Sequence, residues 1–262
     1  MKKLLDRIFI DGLGGMAQGL FATLIIGTII QQIGLFMGGG TGDLIYELGK
    51  IAAGLTGAGI GVGVARKLEA GHLVIVSAAV VGMIGAFAGK ILSGQVLVDG
   101  NLVLAGPGEP LGAFAAAYLA IEIGILISGK TKLDIILTPL VCIGTGSAVG
   151  LFVGPPISEF MLWLGSLINW GTEQQPFLMG IVVSVLMGMI LTLPISSAAL
   201  GVILNLSGLA AGAATIGCCC NMIGFAVASW RENKFSGFLA QGIGTSMLQI
   251  PNICLLYTSP SP

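Results

Sequence analysis

The sequence predicts an all-α polytopic membrane protein, and two observations support that prediction. No charged residue lies between Asp11 and Asp43, and none lies between Glu173 and Arg231. The chain is also 55% hydrophobic and only 9% charged, whereas soluble domains carry roughly 25% charged residues. Because a bilayer core takes about 20 apolar residues per helical crossing, gaps of this length indicate helices embedded in lipid.

The composition gives no sign of nucleic-acid, metal or cofactor binding and favours closely packed membrane helices. The net charge of −1 gives no indication of nucleic-acid binding. Glycine accounts for 43 residues and aromatic residues for 6%, a combination typical of helices that pack closely through small side chains. The five cysteines form no CxxC pair and are interpreted as small apolar helix residues, so neither a metal nor a cofactor is expected.

The N-terminal part contains five predicted transmembrane spans. A glycine-rich turn over 38–42 separates the first two spans, and a polar loop over 93–110 precedes the fourth. Gly154-Pro155-Pro156 is predicted to end the fifth span, because proline removes a backbone donor and clashes with the preceding turn. The five predicted spans cover residues 12–37, 44–65, 72–92, 111–128 and 135–153.

The second predicted span contains glycines at alternate positions. Gly57 and Gly61 are four residues apart, as are Gly59 and Gly63. Each pair lies on one helix face, so we expect two grooves into which neighbouring helices pack closely.

The C-terminal part is predicted to contain interrupted helices. A sixth span over 177–193 ends where a Pro-Ile-Ser-Ser segment, 194–197, breaks the apolar pattern. The next segment, 198–206, is too short to cross a bilayer and is interpreted as half of a broken or re-entrant helix. A further span over 209–230 and a short or re-entrant element over 235–252 follow. In total we expect about 7–8 transmembrane helices plus these re-entrant elements.

Lysine and arginine in the short loops predict the orientation of the spans. With the N-terminus in the cytoplasm, the inside loops hold seven of the eleven basic residues: Lys2, Lys3, Arg7, Arg66, Lys67, Lys130 and Lys132. The sequence therefore predicts a multi-pass protein with a cytoplasmic N-terminus.

Polar residues within or beside the spans are the candidate binding groups. Glu122 lies in the fourth span, where a carboxylate costs about 2.5–3.5 kcal/mol. It is interpreted either as a solute- or proton-binding group or as a hydrogen-bonding group between helices. Glu173, Gln174 and Gln175 precede the sixth span and offer the donors and acceptors that a sugar requires. An ordinary solvated loop is the alternative explanation for these three residues.

Ser196, Ser197 and Asn205 flank the predicted break in the helix. Broken helices at membrane depth are tolerated only inside protein or beside a water-filled cavity, and their freed backbone groups bind transporter ligands. Ser207 and Asn221 add polar groups nearby in the sequence. An inert kink capped by its own serines is the alternative.

Four stretches of the sequence resemble one family. They are SGKTKLDII at 128–136, NWGTEQQPFLMG at 169–180, LPISSAALGVILNLSGLAAG at 193–212 and GTSMLQIPN at 244–252. These stretches are similar to the EIIC-like membrane proteins of the bacterial phosphotransferase system, in the branch that includes the perfringolysin-regulator proteins. The resemblance covers nearly all of residues 1–253.

The resemblance implies a homodimeric, sugar-permease-like domain in the bacterial plasma membrane, with membrane lipid and a small polar solute, a carbohydrate, as its partners. Separate IIA and IIB proteins would transfer the phosphoryl group, so the chain itself is not expected to be an enzyme. The resemblance supports six solute-binding candidates: Glu173, Gln174, Gln175, Ser196, Ser197 and Asn205. A membrane-bound regulator that senses a solute, and an ion-coupled transporter that uses Glu122, are the alternatives.

The last nine residues, 254–262, depart abruptly from the preceding pattern. Their sequence, CLLYTSPSP, matches the translation of a common transposase-type sequencing adapter. We therefore expect the native membrane domain to occupy residues 1–253 and to be truncated at its C-terminus.

Overall fold

A computed structural model describes residues 7–98, 100–130, 133–192, 206, 208–244 and 246. The chain divides into two compact units, Met1–Ser158 and Glu159–Pro262. The described part is largely helical, which confirms the predicted fold class. The helices are α1 (Leu13–Leu20), α2 (Ile26–Met37), α3 (Gly39–Gly54), α4 (Thr56–Lys67), α5 (His72–Ala86), α6 (Ala88–Leu92), α7 (Pro110–Ile127), α8 (Asp134–Gln174), α9 (Pro176–Ile190), α10 (Gly208–Ala228) and α11 (Trp230–Leu239).

The first predicted span is confirmed, but the turn after it is shorter than predicted. Leu13–Met37 is long and apolar enough to cross a membrane, and it contains the π-helical turn Phe21–Ile25. Only Gly38, with φ 61°, separates α2 from α3. Gly42 is helical because it packs against α2, where an added Cβ would be 2.6 Å from the carbonyl oxygen of Gly34. The positive φ angles are confined to Gly38 (61°) and Gly39 (66°), so the predicted turn over 38–42 is wrong beyond its first two residues.

The second predicted span is two helices. α3 and α4 meet at Leu55 with a bend of 50°. The two halves pack on different partners, because α3 lies along α2 whereas α4 packs against α1 and α5. The buried hydroxyl of Thr56 donates to the carbonyl oxygen of Ala53 at 2.6 Å and stabilises the break.

The two predicted glycine grooves of α4 are confirmed. Gly59 and Gly63 face α1, and an added Cβ on Gly59 would be 3.0 Å from the carbonyl oxygen of Gly19. Gly57 and Gly61 face α5, where a Cβ on Gly57 would be 2.6 Å from the carbonyl oxygen of Gly82. Two faces of one helix are thus packed against two neighbouring backbones.

The rest of the first unit departs from the predicted pattern at three points. The third span is interrupted at Phe87, between α5 and α6. A two-stranded antiparallel hairpin, β1 (Leu97–Val98) and β2 (Asn101–Leu102), lies in the predicted loop before α7. α8 runs through Gly154-Pro155-Pro156 instead of ending there. Gly154 packs closely on Ala88 of α6, and this tertiary contact supports the helix at that position.

In the second unit, α9 and α10 pack through small residues. An added Cβ on Gly188 of α9 would be 3.0 Å from the carbonyl oxygen of Gly217 of α10. After α11, the π-helical turn Ala240–Gly244 returns to α10, and Ser229 donates to Gln241 Oε1 at 3.2 Å. The predicted break at 194–197, the segment 198–206 apart from residue 206, and most of 245–262 lie outside the described residues.

Within the described residues, four helices are long and apolar enough to cross a membrane, or five if the bent pair α3–α4 is one span. Two shorter apolar helices, α5 and α9, accompany them. The architecture is that of a polytopic helical membrane protein.

Candidate functional site

Glu122 is paired with a basic residue from the N-terminal turn. Arg7 Nε donates to Glu122 Oε1 at 2.6 Å, and the two side chains are 41% and 31% exposed. The hydrogen bond to Glu122 raises the pKa of Arg7, so its guanidinium stays charged. A carboxylate has about four acceptor sites, so this pairing leaves room for a second donor. The sequence offered two interpretations of Glu122, solute or proton binding and a hydrogen bond between helices. The structure contains such a hydrogen bond, to Arg7. Solute binding by Glu122 stays a prediction.

Glu122 belongs to a face of α7 that packs on the N-terminal turn Arg7–Gly12. Phe114, Tyr118 and Glu122 are spaced four residues apart and therefore lie on one face. The rings of Phe114 and Tyr118 are 5.7 Å apart, and an added Cβ on Gly12 would be 3.2 Å from the Phe114 ring. The absence of a side chain at Gly12 thus allows the close approach that brings Arg7 to Glu122.

Several predicted inside loops lie at one end of the first unit. Arg7 contacts Glu122 five residues before the end of α7, and Gly71 lies beside Ser128, where an added Cβ would be 3.5 Å from Ser128 Oγ. The loop after α4 and the loop after α7 are therefore at the same end as the N-terminal turn. Arg7, Arg66, Lys67 and Lys130 share that end, as the charge pattern predicted for one side of a membrane.

The polar segment before α9 is mostly helical. Its first residues complete the last turn of α8, and only Gln175 lies outside a helix, with φ −147° and ψ 97°. The following proline accounts for this break, because the residue before proline is driven to extended backbone. The side chains of Gln174 and Gln175 are exposed. For Glu173 the structure describes the helical backbone but not the side chain.

The seven predicted solute-binding residues are distributed over both units. Glu122 belongs to the first unit, and Glu173, Gln174 and Gln175 belong to the second. The remaining three, Ser196, Ser197 and Asn205, lie outside the described residues. Within the second unit, Gln174 and Gln175 are consecutive residues where α8 meets α9.

The structure also contains polar groups in apolar surroundings that were not singled out as binding candidates. Asn221 Oδ1 is buried between α9 and α10 without a hydrogen-bond partner in the described part of the chain. Glu109, 8% exposed, precedes α7 and accepts a hydrogen bond from the backbone of Leu111 at 3.3 Å. Burial raises the pKa of Glu109. Among the described residues no group of three His, Cys, Asp or Glu side chains could hold a metal ion.

Comparison with known families gives a match over nearly the whole chain. The family model described as "Phosphotransferase system, EIIC" matches residues 10–255. The chain belongs to this family. EIIC domains are the translocation subunits of the phosphotransferase system, so the chain is a permease-like membrane subunit, as the resemblance implied. Comparison with curated proteins and with solved structures gives no match.

Proposed function

We propose that this EIIC protein binds a small polar solute, a sugar, and moves it across the bacterial plasma membrane. The N-terminus would be cytoplasmic and the protein a homodimer, with separate IIA and IIB proteins transferring a phosphoryl group to the incoming sugar. The observation that supports this most directly is the family match over residues 10–255.

Two structural features support the proposed orientation and binding region. Arg7, Arg66, Lys67 and Lys130 lie at one end of the first unit, and such an excess of basic residues is typical of the cytoplasmic side. Exposed amide side chains occur at the junction of α8 and α9, beside an apolar helix. Amides donate to and accept from sugar hydroxyls, and carboxylates accept from them. The proposed solute-binding segment is therefore 173–175, together with Ser196, Ser197 and Asn205.

Uptake of radiolabelled sugars into cells that express the intact gene tests this proposal. Glu173→Gln keeps the size of the side chain and removes its charge, and we expect it to abolish uptake of the cognate sugar. Glu232→Gln, an exposed carboxylate of the same unit, is the matched control and should leave uptake unchanged. Equal uptake by wild type and Glu173→Gln would contradict a binding role for Glu173.

The same assay separates the alternatives. Uptake that persists without the general phosphotransferase proteins, but stops when the proton gradient is dissipated, would favour an ion-coupled transporter. Solute binding without any uptake would favour a membrane-bound regulator.

A further inference from the structure

The helices α2 and α3 pack mainly on each other. All their buried residues lie in the seam between them, and added Cβ atoms at the seam glycines would meet the backbone or side chains of the facing helix. These residues are Gly27 and Gly34 of α2 and Gly42, Gly49 and Ala53 of α3. Within the described part of the first unit, the α2–α3 hairpin otherwise packs chiefly on the π-helical turn Phe21–Ile25 and on the start of α4.

The hairpin is connected to the rest of the first unit through two helix breaks. The π-helical turn Phe21–Ile25 joins α1 to α2. Leu55, with φ −86° and ψ 14°, joins α3 to α4 at a bend of 50°. Breaks of these two kinds interrupt the regular backbone ladder and are common at points where helices bend.

The two breaks lie at the same level of neighbouring antiparallel helices. On one side of the breaks, an added Cβ on Gly19 would be 2.7 Å from the backbone nitrogen of Ile60. On the other side, an added Cβ on Gly27 would be 2.6 Å from the backbone nitrogen of Ala53. The π-helical turn therefore lies opposite Leu55, and it packs on both α3 and α4.

Threonine hydroxyls pair backbone carbonyl oxygens beside both breaks. Thr23 donates to the carbonyl oxygen of Gly19 at 2.8 Å, and Thr56 donates to that of Ala53 at 2.6 Å. The backbone nitrogen of Leu55 is shared between two carbonyl oxygens, at 3.2 and 3.3 Å. Because such bonds offer the backbone alternative partners, the bend angle can change without leaving unpaired acceptors in the membrane.

From this arrangement we infer that α2 and α3 form a movable arm that pivots on the paired breaks. The seam of small residues keeps the two helices together, so the arm swings as one body. The helices α1, α4 and α5 are packed through glycines on the other side of the breaks and stay fixed relative to one another. The motion of the arm goes beyond the proposed function and does not depend on which solute the protein binds.

Pulsed electron paramagnetic resonance on spin-labelled full chain in phospholipid nanodiscs tests the inference. The labels are attached to azide-bearing residues at exposed positions, so the native cysteines stay in place. Excess unlabelled chain is added so that distances between copies do not contribute. The reference position is Leu126 of α7, paired in turn with Leu44 near the tip of the arm, with Ile51 near the pivot, or with Phe152 of α8 outside the arm.

The distance from the pivot determines the expected result. Leu44 is 11 residues from Leu55 and Ile51 is four residues from it. At about 1.5 Å per residue, a rotation about Leu55 moves Leu44 about three times as far as Ile51. We therefore expect the width of the distance distribution, in excess of that of the Phe152–Leu126 pair, to be about threefold larger for Leu44 than for Ile51.

Three outcomes would overturn the inference. Equal widths for all three pairs would mean that the arm is fixed, whether by the second unit or by a second copy. Equal excess widths at Leu44 and Ile51 would mean local disorder in place of rotation about Leu55. A Phe152–Leu126 distribution as broad as that of Leu44–Leu126 would mean that the whole unit is mobile.

A variant of Thr56 tests whether the break itself is the pivot. Thr56→Val keeps the size of the side chain and removes the hydrogen bond to Ala53, so it should shift the mean Leu44–Leu126 distance. Thr145→Val is the matched control, because Thr145 donates to the carbonyl oxygen of Val141 at 2.6 Å within the uninterrupted helix α8. This control should leave the distance unchanged. The same distance in wild type and Thr56→Val would overturn the assignment of the pivot to this break.

Discussion

Arg7 and Glu122 are 115 positions apart in the sequence, and their side chains are joined by a hydrogen bond of 2.6 Å between Nε and Oε1. The bond connects the N-terminal turn to α7, the helix that also packs on α5. Because a carboxylate in a span normally needs a partner, this pair explains how Glu122 is accommodated in an apolar helix. It also makes the stability of the first unit depend on a residue that precedes the first span.

Removal of the Glu122 carboxylate should therefore destabilise the protein. We expect Glu122→Ala to lower the free energy of unfolding in detergent by about 1–2 kcal/mol, a value below that of a fully buried charged hydrogen bond because both side chains are partly exposed. Glu47→Ala is the matched control, since it breaks the exposed pair with Lys50, and should cost no more than about 0.5 kcal/mol. Urea unfolding followed by circular dichroism measures both, and equal losses would contradict the assignment.

The close contact between α4 and α5 should make Gly61 intolerant of a side chain. An added Cβ there would overlap the carbonyl oxygen of Ala78, so the helices must separate. We expect Gly61→Ala to cost about 1–3 kcal/mol. Gly144, a helical glycine of α8 with nothing within 4 Å of an added Cβ, is the control. Gly144→Ala should raise the unfolding temperature slightly, because alanine favours helix by about 0.5–1 kcal/mol over glycine.

The packing role of the α4 glycines could be predicted from the sequence because a spacing of four residues fixes a helix face. The breaks could not be predicted in the same way. Glycines at 38–42 indicated a turn, yet Gly42 is helical because α3 needs a small residue against Gly34. Leu55 had no breaker signal of its own, and the bend there depends on the different partners of α3 and α4. The helical conformation at Gly42 and the bend at Leu55 depend on tertiary contacts, which cannot be predicted from local sequence patterns.

In the candidate site too, the sequence identified the unusual residues but not the tertiary contacts that they make. The sequence identified Glu122 as an unusual residue, but its partner lies 115 positions away and outside the predicted span. The orientation did offer a signal, because it placed Arg7 on the same side as the end of the fourth span. For 173–175 the sequence indicated a polar segment of candidate binding residues, with an ordinary loop as the alternative. The structure extends α8 to Gln174 and leaves only Gln175 between the helices.

Buried Glu109 should make folding depend on pH. Burial raises its pKa in the folded protein above the ordinary value of 4.5, so the unfolded chain loses this proton first as the pH rises. The folded state then binds more protons than the unfolded state, and stability should fall as the pH increases from about 4.5 through the folded pKa. Glu109→Gln, whose amide oxygen can still accept from Leu111, should reduce this loss. A wild-type unfolding temperature that rises over this range would contradict the prediction.

Gln174 and Gln175 allow solute binding to be tested without disturbing the fold. Both side chains are exposed, and Gln175 makes no side-chain cap to α9, although its carbonyl oxygen accepts from Met179 at 2.9 Å. Truncation of both residues to alanine leaves that backbone bond intact, so the free energy of unfolding should change by less than about 0.5 kcal/mol.

If these amides bind the sugar, the double variant Gln174→Ala/Gln175→Ala should weaken solute affinity about tenfold, as expected for the loss of one or two hydrogen bonds. Isothermal titration of purified protein measures the affinity, and Gln32→Ala, an exposed amide of α2, provides the control. An affinity equal to that of wild type would assign 174–175 to the ordinary solvated junction between α8 and α9.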